Sequence, residues 1–197
     1  MANPPYGIRS MTIGLREFDP ILTASQDEEF QSKGVPVPIQ VAVCGPRECN
    51  EHEAAQARDV GRLLAEAGAT VLCGGGSGVM AAVAEGASAA GGLVIGVRPD
   101  TDPDGVCEGL SAVLYTNMGE ARNAILVWSA DAVIVVGGSW GTLSEVALAN
   151  RRGGVPVVLL GGWRVVDSRG SAVSAGVVAE TAGEAVSVVL EQATRRS

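Results

Sequence analysis

The sequence predicts a single α/β domain built on a doubly wound, mostly parallel, Rossmann-like sheet. Short runs that are apolar throughout alternate with segments of helical period, as in IQVAVCG (39–45), ATVLCGG (69–75) and DAVIVVGG (131–138). Strands buried on both faces lose the in–out alternation of a half-exposed strand, and parallel pairing needs crossover helices between them. Hydrophobic residues make up 47% of the chain while aromatics reach only 4% and glycines number 27. That balance suits a core of Val, Leu, Ile and Ala joined by tight turns. A length of 197 residues fits one large domain, or a domain with an appendage, and allows a real core.

Residues 1–38 stand apart. They hold five of the nine prolines and the polar stretch SQDEEFQSKG, with no sustained period, and read as an irregular N-terminal extension. The domain proper occupies 39–197. The strand 39–45 ends in a glycine turn, and 51–68 has helical spacing through Ala54, Ala57, Val60, Leu63 and Leu64, with Gly68 as a C-terminal signal. The strand 69–75 leads to a small-residue helix over 78–92 and a third strand, GLVIGV (92–97). The acidic segment DTDPDGVCEG (100–109) reads as a solvated loop, because calcium loops need a fuller ligand set. SAVLYT (111–116) is a strand, MGEARNAILVWSA (118–130) a helix, and 131–138 a strand. TLSEVALANRR (142–152) is a helix whose Thr142 and Glu145 have the spacing of a capping box. VPVVLLGG (155–162) closes the run of strands, and TAGEAVSVVLEQATRR (181–196) is a last amphipathic helix.

Composition excludes several chemistries. The formal net charge of −8 opposes general nucleic-acid binding, which needs a basic surface to neutralise phosphates. His52 is the one histidine, so a His-rich metal site is out and a Ser-His-Asp triad would depend on that residue alone. Cys44, Cys49, Cys73 and Cys107 match neither a zinc pattern nor a CxxC pair, and Cys44 and Cys73 end apolar runs where a small buried thiol fits. Lys33 is the one lysine; no Walker A loop is present, and Lys33-Gly34 is a poor Schiff-base candidate for pyridoxal phosphate. The first twenty residues contain no signal-peptide core and no stretch of 18 apolar residues occurs, so a soluble, cytoplasmic protein without membrane contact is expected.

In a doubly wound sheet, ligands bind beyond the carboxyl ends of the strands near the topological switch point. The turns at that edge are CGPRECN, CGGGSGVM, YTNMGEAR and VGGSWGTLSE. Two are glycine-rich and open helices, where backbone N–H groups and the helix dipole favour an anion. Glycines at such turns also serve simply to fit a tight bend, so neither loop is decisive by itself. The third turn adds Arg122, at a position where a guanidinium can clamp phosphate. Glu145, one turn into its helix, faces the same edge. Together these features describe a nucleotide site.

CGGGSGVM, GEARNAILVWSADAVIVVGGSWGTLSEVALA and PVVLLGGW resemble the LOG-like superfamily of Rossmann-type proteins. It includes cytokinin-activating phosphoribohydrolases, proteins labelled "possible lysine decarboxylase", and molybdenum cofactor carriers. The resemblance spans about residues 39–190. It implies a catalytic Glu at Glu145 and a catalytic Arg at Arg122, with Gly138, Gly141 and Thr142 in the phosphate loop. The proline of that family motif falls on Gly137 and its second glycine on Ser139. The first loop aligns through Gly74, Gly75, Gly78 and Met80, with Cys73 for the leading glycine; Gly45 ends the first strand beside it. The usual Met becomes Gly119 and the usual Lys becomes Asn123, a pattern closer to the carrier-like branch.

What the resemblance implies is hydrolysis of a nucleoside 5′-monophosphate at its N-glycosidic bond, giving free base and ribose 5-phosphate. The alternative is a non-catalytic binder or carrier of a nucleotide or molybdopterin-type cofactor. No metal or other cofactor is required, an AMP-like nucleotide or phosphate is the expected ligand, and a homodimer or higher homo-oligomer is the expected assembly. The decarboxylase label fails on lysine count.

Overall fold

A computed structural model describes residues 37–195 of the chain. The reading of an irregular extension therefore falls almost wholly on residues 1–36, which lie outside the described residues. The elements run β1 (Gln40–Cys44), α1 (Glu51–Glu66), β2 (Thr70–Cys73), α2 (Val79–Ala89), β3 (Val94–Arg98) and β4 (Ala112–Tyr115). A 3₁₀ turn (Gly119–Ala121), α3 (Arg122–Trp128), β5 (Ala132–Val136), α4 (Trp140–Arg152), β6 (Val157–Leu160), β7 (Val177–Ala179) and α5 (Ala182–Thr194) follow.

The seven strands form one sheet in the order β4-β3-β2-β1-β5-β6-β7, with every neighbouring pair parallel. Val41 of β1 stands between Val71 of β2 and Ala132 of β5. The chain winds outward from β1 to β4, then returns to the other side of β1. The switch point thus lies between the ends of β1 and β5.

One face of the sheet packs Val41, Val43, Val71, Ile134 and Leu160 against α1, α2 and α5, through residues such as Leu64, Val83 and Val189. The other packs Ala42, Leu72, Val97, Val133 and Val135 against Leu126 and Val127 of α3 and Val146 and Ala149 of α4. Because α3 has only seven residues, the outer strand β4 is poorly covered, and Leu114 and Tyr115 are exposed. Among the described residues, no helix is long and apolar enough to cross a membrane.

Three expectations need correction. The run of strands does not close at residue 162. A short edge strand, β7, follows and pairs with β6 through Leu159 and Val178, after an irregular stretch whose Gly and Ser content hid it. The helix over 118–130 is a 3₁₀ turn that starts at Gly119, whose φ of 55° is left-handed, and runs on into α3 at Arg122. Thr142 and Glu145 do not form a capping box. Helix α4 starts at Trp140, and Ser139 is its N-cap, its hydroxyl accepting from the Thr142 N–H at 3.2 Å. The reciprocal box occurs in α1 instead, where Asn50 accepts from the Glu53 N–H and the Glu53 carboxylate accepts from the Asn50 N–H.

Candidate functional site

The ends of β1, β2 and β5 open onto a cleft of about 570 Å³ at the switch point. Of the residues singled out from the sequence, Gly45, Gly74, Met80, Arg122, Asn123, Gly138, Ser139, Gly141, Thr142 and Glu145 line it. Gly75, Gly78 and Gly137 do not. Gly75 packs toward Gly96 and Arg98, Gly78 against the carbonyls of Pro46 and Arg47, and Gly137 beside the Glu53 carboxylate and a second, smaller cavity.

Arg122 and Asn123 begin α3, and Glu145 lies one turn inside α4, the helix beside it. All three are buried. The Arg122 Nη1 and Glu145 Oε1 atoms are 3.9 Å apart, within ion-pair range but too far for a hydrogen bond. Arg122 Nε and Nη1 and the Asn123 carbonyl Oδ1 have no hydrogen-bond partner. Asn123 Nδ2 donates to Ser144 Oγ at 2.9 Å, so that side chain is held and its carbonyl is left over. The guanidinium rests over Gly74, where a Cβ would come within 2.8 Å of Nη1 and 2.9 Å of Nη2. Glycine at position 74 is what allows the arginine to lie there.

Glu145 has no capping duty. Burial pushes its pKa up to about 7, against the opposing effects of the Arg122 charge and a hydrogen bond from Cys44. Burial likewise raises the Cys44 thiol well above its ordinary value, with the Glu145 charge adding to it. A buried carboxyl that changes charge near neutrality, beside an under-satisfied guanidinium, can hold or release a proton or yield to an incoming anion.

The start of α4 also lines the cleft. The first bond in its turn runs from the Leu143 N–H to the Ser139 carbonyl, so the N–H groups of Trp140 and Gly141 precede the helical ladder. The hydroxyls of Ser139 and Thr142 are 2.9 Å apart. Further lining residues lie in stretches quoted from the sequence but were not singled out there, among them Arg47 and Glu48 in the turn after β1, Glu120 before α3, and Trp163 after β6. Trp140 was inside the quoted loop without being singled out. The charged turn PRE at 46–48 was a readable signal, whereas Trp163 reaches the cleft only through the order of β5 and β6.

The far ends of α3 and α4 are also joined. Arg152 Nη1 donates to the carbonyls of Val127 and Ala130, each at 2.6 Å.

Residues 38–193 match the SLOG cluster4 family. An uncharacterized protein of Archaeoglobus fulgidus is 40% identical over 142 residues, covering 69% of this chain and 93% of its own length. Among solved structures, the molybdenum cofactor binding protein of Rippkaea orientalis is 30% identical with a TM-score of 0.70, covering 79% of this chain and 97% of that one. The molybdenum cofactor carrier protein of Chlamydomonas reinhardtii is also 30% identical, with a TM-score of 0.68 and coverage of 80% and 99%. The fold and the sequence agree: the chain belongs to the SLOG cluster4 family, with the Rossmann-like, LOG-type architecture of the molybdenum cofactor carriers.

Proposed function

We propose that this protein binds a small phosphorylated heterocycle without transforming it, as a carrier, with a molybdopterin-type cofactor as the ligand class. One observation carries the reading: Arg122 and Asn123 line the cleft, and Arg122 Nε and Nη1 and Asn123 Oδ1 are buried with no hydrogen-bond partner among the described residues. Leaving such groups unsatisfied costs about 1–3 kcal/mol each, more for a charged group. A ligand that accepts from the guanidinium and donates to the amide carbonyl recovers that cost. Phosphate oxygens meet the first need and the N–H groups of a heterocycle the second. The N–H groups of Trp140 and Gly141 provide further donors for the phosphate. The likeness to two proteins named for the molybdenum cofactor supports the ligand class.

The test loads the purified protein with molybdenum cofactor released from a molybdoenzyme and measures pterin and molybdenum retained after gel filtration. Retention near one equivalent is expected. Arg122→Ala should weaken retention about 100-fold, as loss of a charge-assisted, bidentate contact implies. Equal retention by both proteins, or none by either, overturns the reading.

A second reading, N-glycosidic hydrolysis of a nucleoside 5′-monophosphate, draws on Glu145, whose pKa near 7 suits proton exchange at neutral pH. In that reaction Glu145 would stabilise the oxocarbenium-like ribose or orient water, and Arg122 would hold the phosphate. Free adenine released from AMP by the wild type, and absent with Glu145→Gln, would favour this reading over the carrier.

A homo-oligomer belongs to the same proposal. The exposed Leu114, Tyr115 and Met118 around β4 and Trp128 at the end of α3 support it.

A further inference from the structure

We propose that Trp140, braced by Trp163, is the subsite that receives the flat ring of the ligand and so sets its class as planar heteroaromatic. This rests on the phosphate-binding reading above and extends it to the other end of the ligand. The chain has three tryptophans, and two of them border the cleft.

Trp140 is the first residue of α4 and 78% exposed, although a large apolar side chain left in water forgoes the gain of burial. Trp163 is 47% exposed and meets it edge to face, with ring centroids 5.1 Å apart and planes at 82°. The Trp163 ring lies against Gly138, where a Cβ would come within 2.8 Å of its Cδ1. That close seat fixes Trp163 against the loop, and Trp163 in turn restrains Trp140. A T-shaped pair uses one side of the aromatic system and leaves a ring face open to a third partner.

Position decides what that partner is. Trp140 is adjacent in sequence to Ser139 and Gly141, which line the same cleft as Arg122. A ligand whose phosphate lies at the start of α4 therefore has its remaining atoms within reach of the indole. Stacking on an aromatic side chain tolerates any flat ring, purine or pterin alike. In this arrangement the phosphate supplies attachment and the ring supplies discrimination.

The experiment measures affinity, by calorimetry and by quenching of tryptophan fluorescence, for AMP, for 6-hydroxymethylpterin phosphate and for ribose 5-phosphate, which has no ring system to stack. With the wild type, at least one ring-bearing phosphate is expected to bind ten-fold or more tighter than ribose 5-phosphate. In Trp140→Ala that advantage should vanish while ribose 5-phosphate binds as before; Trp140→Phe should restore most of it. If all three probes bind the wild type equally, or the ring advantage survives in Trp140→Ala, the ring subsite is overturned and the phosphate site stands. If none of the three binds, both readings fall.

Discussion

The turn after β2 and the turn after β5 look alike in sequence, GGGSG at 74–78 and GGSWG at 137–141, and their last glycines do opposite work. In the first, Gly74, Gly75 and Gly76 are all buried, and Gly78 has a φ of 67° with the Pro46 and Arg47 carbonyls filling the place of a Cβ. Its glycines let the protein close on itself. In the second, Trp140 and Gly141 are exposed, and a Cβ on Gly141 would meet nothing nearer than Ser139 Oγ at 3.8 Å. The fold does not require glycine there, whereas the proposed ligand would. Glycine richness alone does not separate these uses, because the missing side chain serves whichever neighbour comes close.

Substitution should break the resemblance cleanly. Gly78→Ala combines a left-handed φ with a backbone clash and is expected to cost about 3 kcal/mol of stability, or roughly 10 °C in Tm, as calorimetry would record. Phosphate affinity of the molecules still folded should be unchanged. Gly141→Ala should do the reverse. Stability should hold or rise slightly, since alanine is the better helix former, while affinity for AMP falls about ten-fold because the methyl group obstructs the helix N–H groups. A Gly141→Ala protein that binds normally would remove the α4 start from the site.

The smallest effect concerns pH. Below about 7 Glu145 is neutral and leaves the Arg122 charge to the ligand; above it the carboxylate competes with the incoming phosphate. Between pH 6 and pH 8 the wild-type affinity for AMP should fall about three-fold relative to Glu145→Gln. The ratio of the two proteins is the quantity to read, because the phosphate monoester titrates near pH 6 in both. A ratio that stays flat would show that Glu145 and the bound phosphate do not interact.

Much of the fold was legible from the sequence because parallel strands buried on both faces announce themselves as unbroken apolar runs. Val41 to Cys44 and Ala132 to Val136 needed no structure to be placed. β7 was not legible, since two exposed valines and a single buried Ala179 make no pattern. The α4 start was misread for a different reason. Ser139 and Thr142 are both competent caps, and only the backbone, extended at Ser139 with φ −152° and ψ 173°, chooses between them. For the site, Arg122, Glu145 and the loop glycines could be picked out by their place at strand ends, and the structure gathers most of them into one cleft. Trp163 could not be, because its proximity depends on strand order and on contact with Gly138, neither of which is local in sequence.

The links between α3 and α4 have a thermodynamic consequence. Asn123 and Ser144 join the helices at the cleft, and Arg152 joins them at the far end. The guanidinium and carboxyl therefore stand at a separation set by the scaffold, and the helices cannot slide together to quench it. A ligand entering between them meets groups already oriented and partly dehydrated, so little ordering entropy is lost on binding. Affinity in such a site would be expressed chiefly as slow departure, the property the proposed carrier role needs.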